Sequence, residues 1–480
     1  MKSLLVEKAW KGEAQQRVRS KQKAEHELDI AMVKKIGSRL GGSLEAYSRV
    51  LWDAAVPLTP MGSDPQAVID QWLHAVAYGF ECFGGTDPAL RHSILNALAK
   101  AGLRATQPLL RNLLLEVAAI PSPAAHKFSF IDLFAGIGGM RLGFQAEGGR
   151  CVFSSEWDSA AQQTYRKNHG ELPFGDITRM HPSSIPEHDV LLAGFPCQPF
   201  SHAGKKLGIE DTRGTLFYDI AQILKSKRPK FALLENVRGL ISHQGGDTLR
   251  VILQTLTDIG YECNIPRECI ILGSSRVIQD AAKRMVLRSN DFGVPQKRQR
   301  IYILLWQEGL IGKFDYPRPM QAPTRVGSIL DPNPDPRLRL SDRLWAGHQR
   351  RKRDNELAGK GFGFGLVTPD SDCANTLSAR YYKDGSEILV LDEVGLNPRK
   401  LSPREAARLQ GFPDRFEVHS SAVQAYKQFG NSVSVPVIEA LARQVAANLA
   451  SIKRRGEPGR RSAGSKRGLA KLGSRTARLS

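Results

Sequence analysis

The sequence predicts an α/β fold: a doubly wound, mostly parallel sheet, with a smaller loop-rich domain and a helical N-terminal extension. Three observations carry this. From Lys127 onward, short apolar runs at residues 128–134, 151–154, 189–193, 231–234 and 301–306 alternate with helical stretches. The first run passes straight into a glycine-rich turn, as strand-to-helix corners at the carboxyl edge of such sheets do. Before Lys127 the pattern differs: residues 16–39 are charged, and 67–77 and 89–119 show apolar residues at three-to-four spacing.

Each region follows in order. Residues 1–120 are expected to be helical. Pro121-Ser-Pro-Ala-Ala125 reads as a linker. Residues 127–314 carry the alternating strands and helices. Residues 315–424 are richer in Pro, Gly and Arg, with poor periodicity, until a helix at 403–410 that stops at Gly411-Phe-Pro413. Residues 425–450 include a last helix at 435–449. Residues 451–480 hold ten Lys/Arg and one Glu and are expected to be disordered.

Composition narrows the function. The chain has 480 residues, 41% of them hydrophobic, enough for a large core. No apolar run reaches the roughly 18 residues that cross a bilayer, and residues 1–20 lack the apolar centre of a signal peptide. A soluble cytoplasmic protein is expected. Six cysteines are scattered without a Cys-x-x-Cys pair, so neither a metal site nor a disulfide frame is expected. The formal net charge of +20 favours a polyanionic partner, and a net nine of those charges lie in the last thirty residues.

The chemistry-bearing residues sit at strand ends. After the first strand comes Ala135-Gly-Ile-Gly-Gly139. Glu156 ends the next strand, twenty residues after Gly136. That spacing places an acid where it can hold the two hydroxyls of a ribose. Trp157 offers a face on which an adenine can stack, and Asp176 can accept from an exocyclic amine. Cys197 follows another strand, between Pro196 and Pro199, where a loop can lower a thiol pKa and expose it. Glu235 ends the strand after that, and parallel strands present their ends on one edge, so the two can converge. Arg298 and Arg300 alternate into the strand 301–306 and so share a face.

Six motifs then occur in one order: Asp132-Leu-Phe-Ala-Gly-Ile-Gly-Gly139, Gly194-Phe-Pro-Cys-Gln-Pro-Phe-Ser201, Glu235-Asn-Val237, Gln296-Lys-Arg-Gln-Arg-Ile-Tyr302, Leu401-Ser-Pro-Arg-Glu-Ala-Ala-Arg-Leu-Gln-Gly-Phe412 and Gly430-Asn-Ser-Val-Ser-Val-Pro436. From 127 to about 450 the chain resembles the DNA (cytosine-5)-methyltransferase family. The resemblance implies a methyltransferase fold that uses S-adenosyl-L-methionine on double-stranded DNA, with EC 2.1.1.37 activity. It implies Cys197 as nucleophile, Glu235 on ring nitrogen 3 and Arg300 on oxygen 2 of the cytosine, with Arg298 in support. Carbon 5 of cytosine is too weak a nucleophile alone; a thiolate on carbon 6 makes it an enamine. It implies a cofactor site of Phe134, Gly136, Gly138, Glu156, Trp157, Asp176, Ile177, Pro196, Leu216 and Asn431, and a return of residues 425–450 to the sheet domain at Gly430-Asn-Ser432.

Gly361-Phe-Gly-Phe-Gly-Leu-Val367 and Asn375-Thr-Leu-Ser-Ala-Arg-Tyr-Tyr-Lys-Asp-Gly-Ser-Glu-Ile-Leu-Val390 resemble the EcoRII/Dcm-type enzymes. That implies residues 315–424 as a target-recognition domain and the inner cytosine of CC(A/T)GG as target, with CCNGG as the alternative. Arg380 can fork onto guanine and Lys383 can reach guanine or phosphate. Gln198, Ser201, Thr376 and Ser378 complete the candidate DNA contacts. The enzyme is expected to act as a monomer on flipped-out cytosine, with a cognate restriction endonuclease as a candidate partner. An RNA-directed enzyme of the same fold fits poorly, because that branch has a less developed recognition module and a distinctive Cys-Phe-Thr. A catalytically dead DNA-binding regulator fits poorly too, since Cys197, Glu235 and the glycine turn are all present. A bifunctional methyltransferase and transcriptional regulator stays open through the N-terminal helices.

Overall fold

The computed structural model describes residues 43–85, 88–123, 125–196, 215–320, 323–361 and 363–456. The expected helical stretch at 16–39 and most of the basic tail lie outside them. Four helices open the described chain: α1 Leu44–Ala55, α2 Pro65–Tyr78, α3 Pro88–Lys100 and α4 Gln107–Val117. The apolar stretch 89–119 is therefore two helices, parted where Gly102 takes φ 79°. α2 starts at the Asp64 cap, which accepts from Gln66 N, and stops at left-handed Gly79. Every residue from Ala67 to Tyr78 is buried. A helix buried all round needs cover on all sides, and α2 finds it between α1, α4 and the second strand of the sheet.

The sheet region runs β1 Phe128–Leu133, α5 Gly139–Ala146, β2 Gly149–Ser155, α6 Ser159–His169, β3 Val190–Gly194, α7 Leu216–Lys227 and β4 Phe231–Val237. Next come α8 Asp247–Asp258, β5 Tyr261–Glu262, α9 Arg267–Leu272, α10 Ser275–Ala282, β6 Val286–Arg288 and β7 Gln299–Gln307. Strand order is β2-β1-β3-β4-β7-β5, with β6 also on β7. The first four strands are mutually parallel. β7 runs antiparallel to β4, β5 and β6, so the last apolar run is a strand whose direction its composition did not reveal.

The remaining elements are α11 Asp342–Leu357, β8 Leu366–Val367, β9 Leu389–Val390, β10 Arg399–Lys400, α12 Pro403–Leu409, α13 Ala422–Asn431 and α14 Val435–Gly456. α14 continues beyond residue 450 into the stretch expected to be a disordered tail. β8, β9 and β10 form a separate three-stranded sheet.

Strand alternation sorts the core into layers. Ile131 and Leu133 point to a cluster shared with α7, α8 and the N-terminal helices. Phe128 and Phe130 point to the opposite face, against Phe144 of α5 and Ile438 and Leu441 of α14. A third cluster joins Val367, Leu377, Tyr381, Val390, Leu401 and Phe429 to Ile137 and Leu142 beside the glycine turn. The capping box of Ser402 and Glu405 fixes α12, and Glu405 also takes both arms of the Arg399 guanidinium at 2.8 and 2.9 Å.

This wiring places the site. From β1 the chain turns through α5 to β2 on one side, then returns to β3 on the other. The carboxyl ends of β1 and β3 flank that reversal, the position at which open α/β sheets bind ligands.

Candidate active site

The glycine turn is shaped by backbone that few side chains tolerate. Phe134, Gly136 and Gly138 take φ 56°, 56° and 84°. A Cβ on Gly138 would collide with the buried His169 ring, and one on Gly139 would meet Ser432 Oγ at 2.8 Å. The turn thus lies flat between α6 and the return segment. Glu156, almost fully buried, receives Gly136 N on Oε2 and Asp158 N on Oε1, both at 2.8 Å. Burial pushes its pKa up, and those backbone donors oppose the rise. Trp157 beside it is 84% exposed. Asp176 caps the next turn, accepting from Thr178 N at 3.0 Å, and Ile177 is buried behind it. Lys427 on α13 bonds Asp158 at 2.6 Å, drawing α13 and its end residue, Asn431, toward the same corner.

These residues fit S-adenosylmethionine. Space in front of Gly136 is open, so backbone can approach a ligand there. The donor set is a partly exposed carboxylate, a buried carboxylate with spare lone pairs and a bare indole face. It matches an amine, a ribose and an adenine ring in that order. Leu216 opens α7, and the exposed Pro196 ends the described part of the β3 loop.

On the neighbouring strands, register does the assembly. Gly194 of β3 pairs with Glu235 of β4. Cys197, three residues beyond Gly194, lies outside the described residues, as do Gln198 and Ser201. Glu235 pairs with Tyr302 on β7, and Arg300 sits diagonally across. Long side chains at diagonal antiparallel positions can touch, and Arg300 Nε lies 3.1 Å from Glu235 Oε1. Burial raises the Glu235 pKa, while Arg300 and Arg298 pull it down. The result is a carboxyl held above its ordinary range.

Arg298 does different work from its neighbour. It is buried, and its guanidinium donates to the carbonyls of Leu377 at 3.2 Å, Gly430 at 3.3 Å, and Ser432. It ties β7 to the loop-rich region and to the return segment at once. Burial and the nearby Arg300 bring its pKa down to about 9. Asn236 was quoted within a motif but given no role by sequence. Its Nδ2 donates to Phe195 O at 2.9 Å and its Oδ1 accepts Val237 N at 2.8 Å. It therefore anchors the β3 loop just before Cys197. The adjacency of Glu235 and Asn236 was the available signal.

The loop-rich residues split in two. Thr376 Oγ1 donates to Lys297 O at 3.1 Å, and Ser378 Oγ donates to Glu387 and accepts Arg380 N. Both hydroxyls hold the segment together. Arg380 and Lys383 stand exposed on the following turn. Gly430 packs against the backbone of Ser378, with no room for a Cβ.

Residues 128–447 match the family described as C-5 cytosine-specific DNA methylase. Over 334 residues, 69% of this chain and 81% of the relative, the chain is 51% identical to the Type II methyltransferase M1.ScrFI of Lactococcus lactis subsp. cremoris. Over 331 residues, 68% of this chain and 99% of the relative, it is 52% identical to the Type II methyltransferase M.NlaX of Neisseria lactamica. Among solved structures, the S. pombe Dnmt2 methyltransferase shares the fold, with TM-score 0.50 and 19% identity over 68% of this chain and 100% of that one.

Proposed function

The chain belongs to the C-5 cytosine-specific DNA methylase family, and on that premise we propose that it methylates the inner cytosine of a CC(A/T)GG-like duplex site through a covalent Cys197 adduct. Cytosine-5 DNA methyltransferase activity with S-adenosylmethionine as methyl donor comes with the family. The covalent route, the flipped base and the site are the proposal.

The observation that carries it is the half-buried Glu235–Arg300 pair, set opposite Gly194 three residues before Cys197. A duplex hides cytosine carbon 6, so the base must leave the stack at a cost of roughly a few kcal/mol. The Cys197 thiolate then forms a bond to carbon 6. The ring's electron pair is accommodated as nitrogen 3 takes a proton from Glu235, whose raised pKa keeps it a usable acid. Bound S-adenosylmethionine supplies an electrophilic methyl, which carbon 5 of the resulting enamine can take. Loss of the carbon 5 proton to a base, departure of the thiolate and return of the nitrogen 3 proton to the Glu235 carboxylate restore the ring and the acid. The Arg300 guanidinium has five N–H donors; Nε faces Glu235 and one Nη1 donor holds Gln299 O, which leaves donors for oxygen 2.

Residues 127–314 with 425–450 form the proposed catalytic and cofactor unit, and 315–424 the recognition unit that holds the flanking pairs while the base is out. Among the described residues no helix is long and apolar enough to cross a membrane. Bisulfite sequencing of DNA from expressing cells tests the site. Protection confined to the inner cytosine of CC(A/T)GG is expected. Equal protection at CC(C/G)GG would give the CCNGG reading, and protection in another context would overturn both. A duplex with 5-fluorocytosine at the target tests the adduct, because fluorine cannot leave as the proton does. A denaturation-resistant complex dependent on S-adenosylmethionine is expected, and its absence would remove the covalent step.

A further inference from the structure

The helices before residue 128 lie outside the family match, yet they press on one cofactor-side segment. That segment is residues 172–176, which runs beside the end of β2 and leads into Asp176 and Ile177. Phe174 N donates to Ser154 O at 2.9 Å and Phe174 O accepts Glu156 N at 2.8 Å, so its inner edge is tied to the strand that carries Glu156. Gln162 of α6 adds a long bond from Nε2 to Pro173 O at 3.4 Å, and the N-terminal region holds the outer edge. Gly175 N donates to Ser63 Oγ at 2.9 Å, and Leu172 N donates to Asp70 Oδ2 at 2.8 Å. A Cβ on Gly175 would drive into the carbonyl of Gly62. Phe83, from the loop after α2, packs tilted on Phe174 at 4.3 Å and stacks on Phe153 at 5.9 Å.

The tie joins a buried carboxylate and a half-buried hydroxyl. Asp70 is 6% exposed, and its other oxygen accepts Gln66 Nε2 at 2.6 Å. Ser63 is set by the turn from Pro60, whose carbonyl accepts Ser63 N at 3.0 Å, with Gly62 at φ 86°. No periodic packing demands two backbone N–H groups of this segment to be received by side chains more than a hundred residues earlier. Their effect is to fix where residue 176 begins.

We propose that the N-terminal helical layer is a positioning element of the cofactor pocket, with Ser63 and Asp70 setting the height of Asp176 and Ile177 against Glu156. This rests on the reading of Asp176 and Ile177 as cofactor contacts. Ser63 and Asp70 touch no cofactor; they act through the segment they hold. Losing one neutral hydrogen bond that steers a ligand contact weakens binding on the order of five-fold.

The test uses the full chain and calorimetric titration with S-adenosylhomocysteine, which carries the same adenosine. Ser63→Ala is expected to raise its Kd, and the KM for S-adenosylmethionine, about five-fold. Values of kcat and the Kd for cognate DNA should stay put. Ser63→Thr, which keeps the hydroxyl, should restore both cofactor constants, and Asp70→Asn should weaken cofactor binding without touching DNA. Cofactor affinity unchanged in both Ser63→Ala and Asp70→Asn overturns the proposal. So does a parallel loss of cofactor affinity, DNA affinity and thermal stability, which a merely structural contact would give. Asp176→Ala separates the two layers of argument. If it leaves cofactor affinity intact, the reading of the pocket fails. If it weakens binding while Ser63→Ala does not, the positioning role fails.

Discussion

Glu235 and Arg380 illustrate two ways of presenting a functional side chain. Glu235 sits on a central strand, half-buried, with Arg300 at 3.1 Å and its pKa raised by desolvation. Arg380 sits on an exposed turn of the recognition unit, steadied only through its backbone and its neighbours. The difference follows from their tasks. A proton donor must be held and desolvated before substrate arrives, or its pKa reverts to that of a free carboxyl. A base-reading arginine meets a solvated partner and can settle into its fork geometry on contact. Substitutions on the sheet edge should therefore cost rate, and those on the turn should cost choice.

The largest effect expected on the sheet edge is at Cys197. Cys197→Ser should abolish turnover, since a neutral hydroxyl is a far weaker nucleophile than a thiolate. DNA binding should survive, because phosphate contacts supply most affinity. A tritium-transfer assay beside a binding assay decides it, and near-normal transfer would exclude Cys197 from the mechanism.

Glu235→Gln comes next, with single-turnover methylation slowed about 10²–10⁴-fold and site choice unchanged. Stability should move the other way. A carboxyl whose folded pKa lies above its unfolded value binds more protons when folded, so it costs stability as pH rises from the ordinary carboxylate range through the raised value. The melting temperature of Glu235→Gln relative to the native chain should therefore climb with pH across that window. A difference that is flat or falls with pH would contradict the raised pKa.

How much of this was legible in sequence follows from where each partner lies. The four parallel strands are covered on both faces, so they appear as short apolar runs. β5, β8, β9 and β10, at two residues each, are too short to show any period. Glu235 was legible because chemistry and strand end coincide in three letters. Alternation puts Arg298 and Arg300 on one face and cannot say which does what; the resemblance gave oxygen 2 to Arg300 and support to Arg298, and what Arg298 holds, the carbonyls of Leu377, Gly430 and Ser432, lay too far off in sequence to be named. The seating of Asp70 on Leu172 spans about a hundred residues with no repeat to announce it.

Arg298 belongs to both regions, so it offers the sharpest test of their separation. Replacing it with methionine leaves three carbonyls without a charged donor, at a stability cost of about 3 kcal/mol. Arg298→Met should lower kcat and also relax discrimination between cognate and near-cognate sites. If rate falls while discrimination holds, the guanidinium serves the sheet edge alone, and its bond to Leu377 is incidental.

The smallest effect is expected at Arg380, and it should be the cleanest. The turn is pinned by its neighbour, Tyr381, whose buried hydroxyl donates to Ile388 O at 2.7 Å and accepts Leu401 N at 2.8 Å. Asp384 at the far end bonds Arg351 of α11 at 3.0 Å. Removing the Arg380 side chain should therefore leave the turn in place and delete only what it reaches toward. A bidentate arginine–guanine contact is worth about 1–3 kcal/mol of discrimination, or about 5- to 150-fold. Arg380→Ala should lose that factor in kcat/KM at the cognate duplex relative to a duplex with one flanking guanine replaced. Nonspecific affinity should change only by the share of one phosphate-strength charge. Lys383→Ala supplies the contrast. If Lys383 contacts phosphate, its loss weakens every duplex alike and lowers the salt slope by about one. If it reads guanine, it repeats the Arg380 pattern at a second position. Equal losses on cognate and substituted duplexes for both variants would show that the turn only binds DNA, and would move base reading elsewhere in residues 315–424.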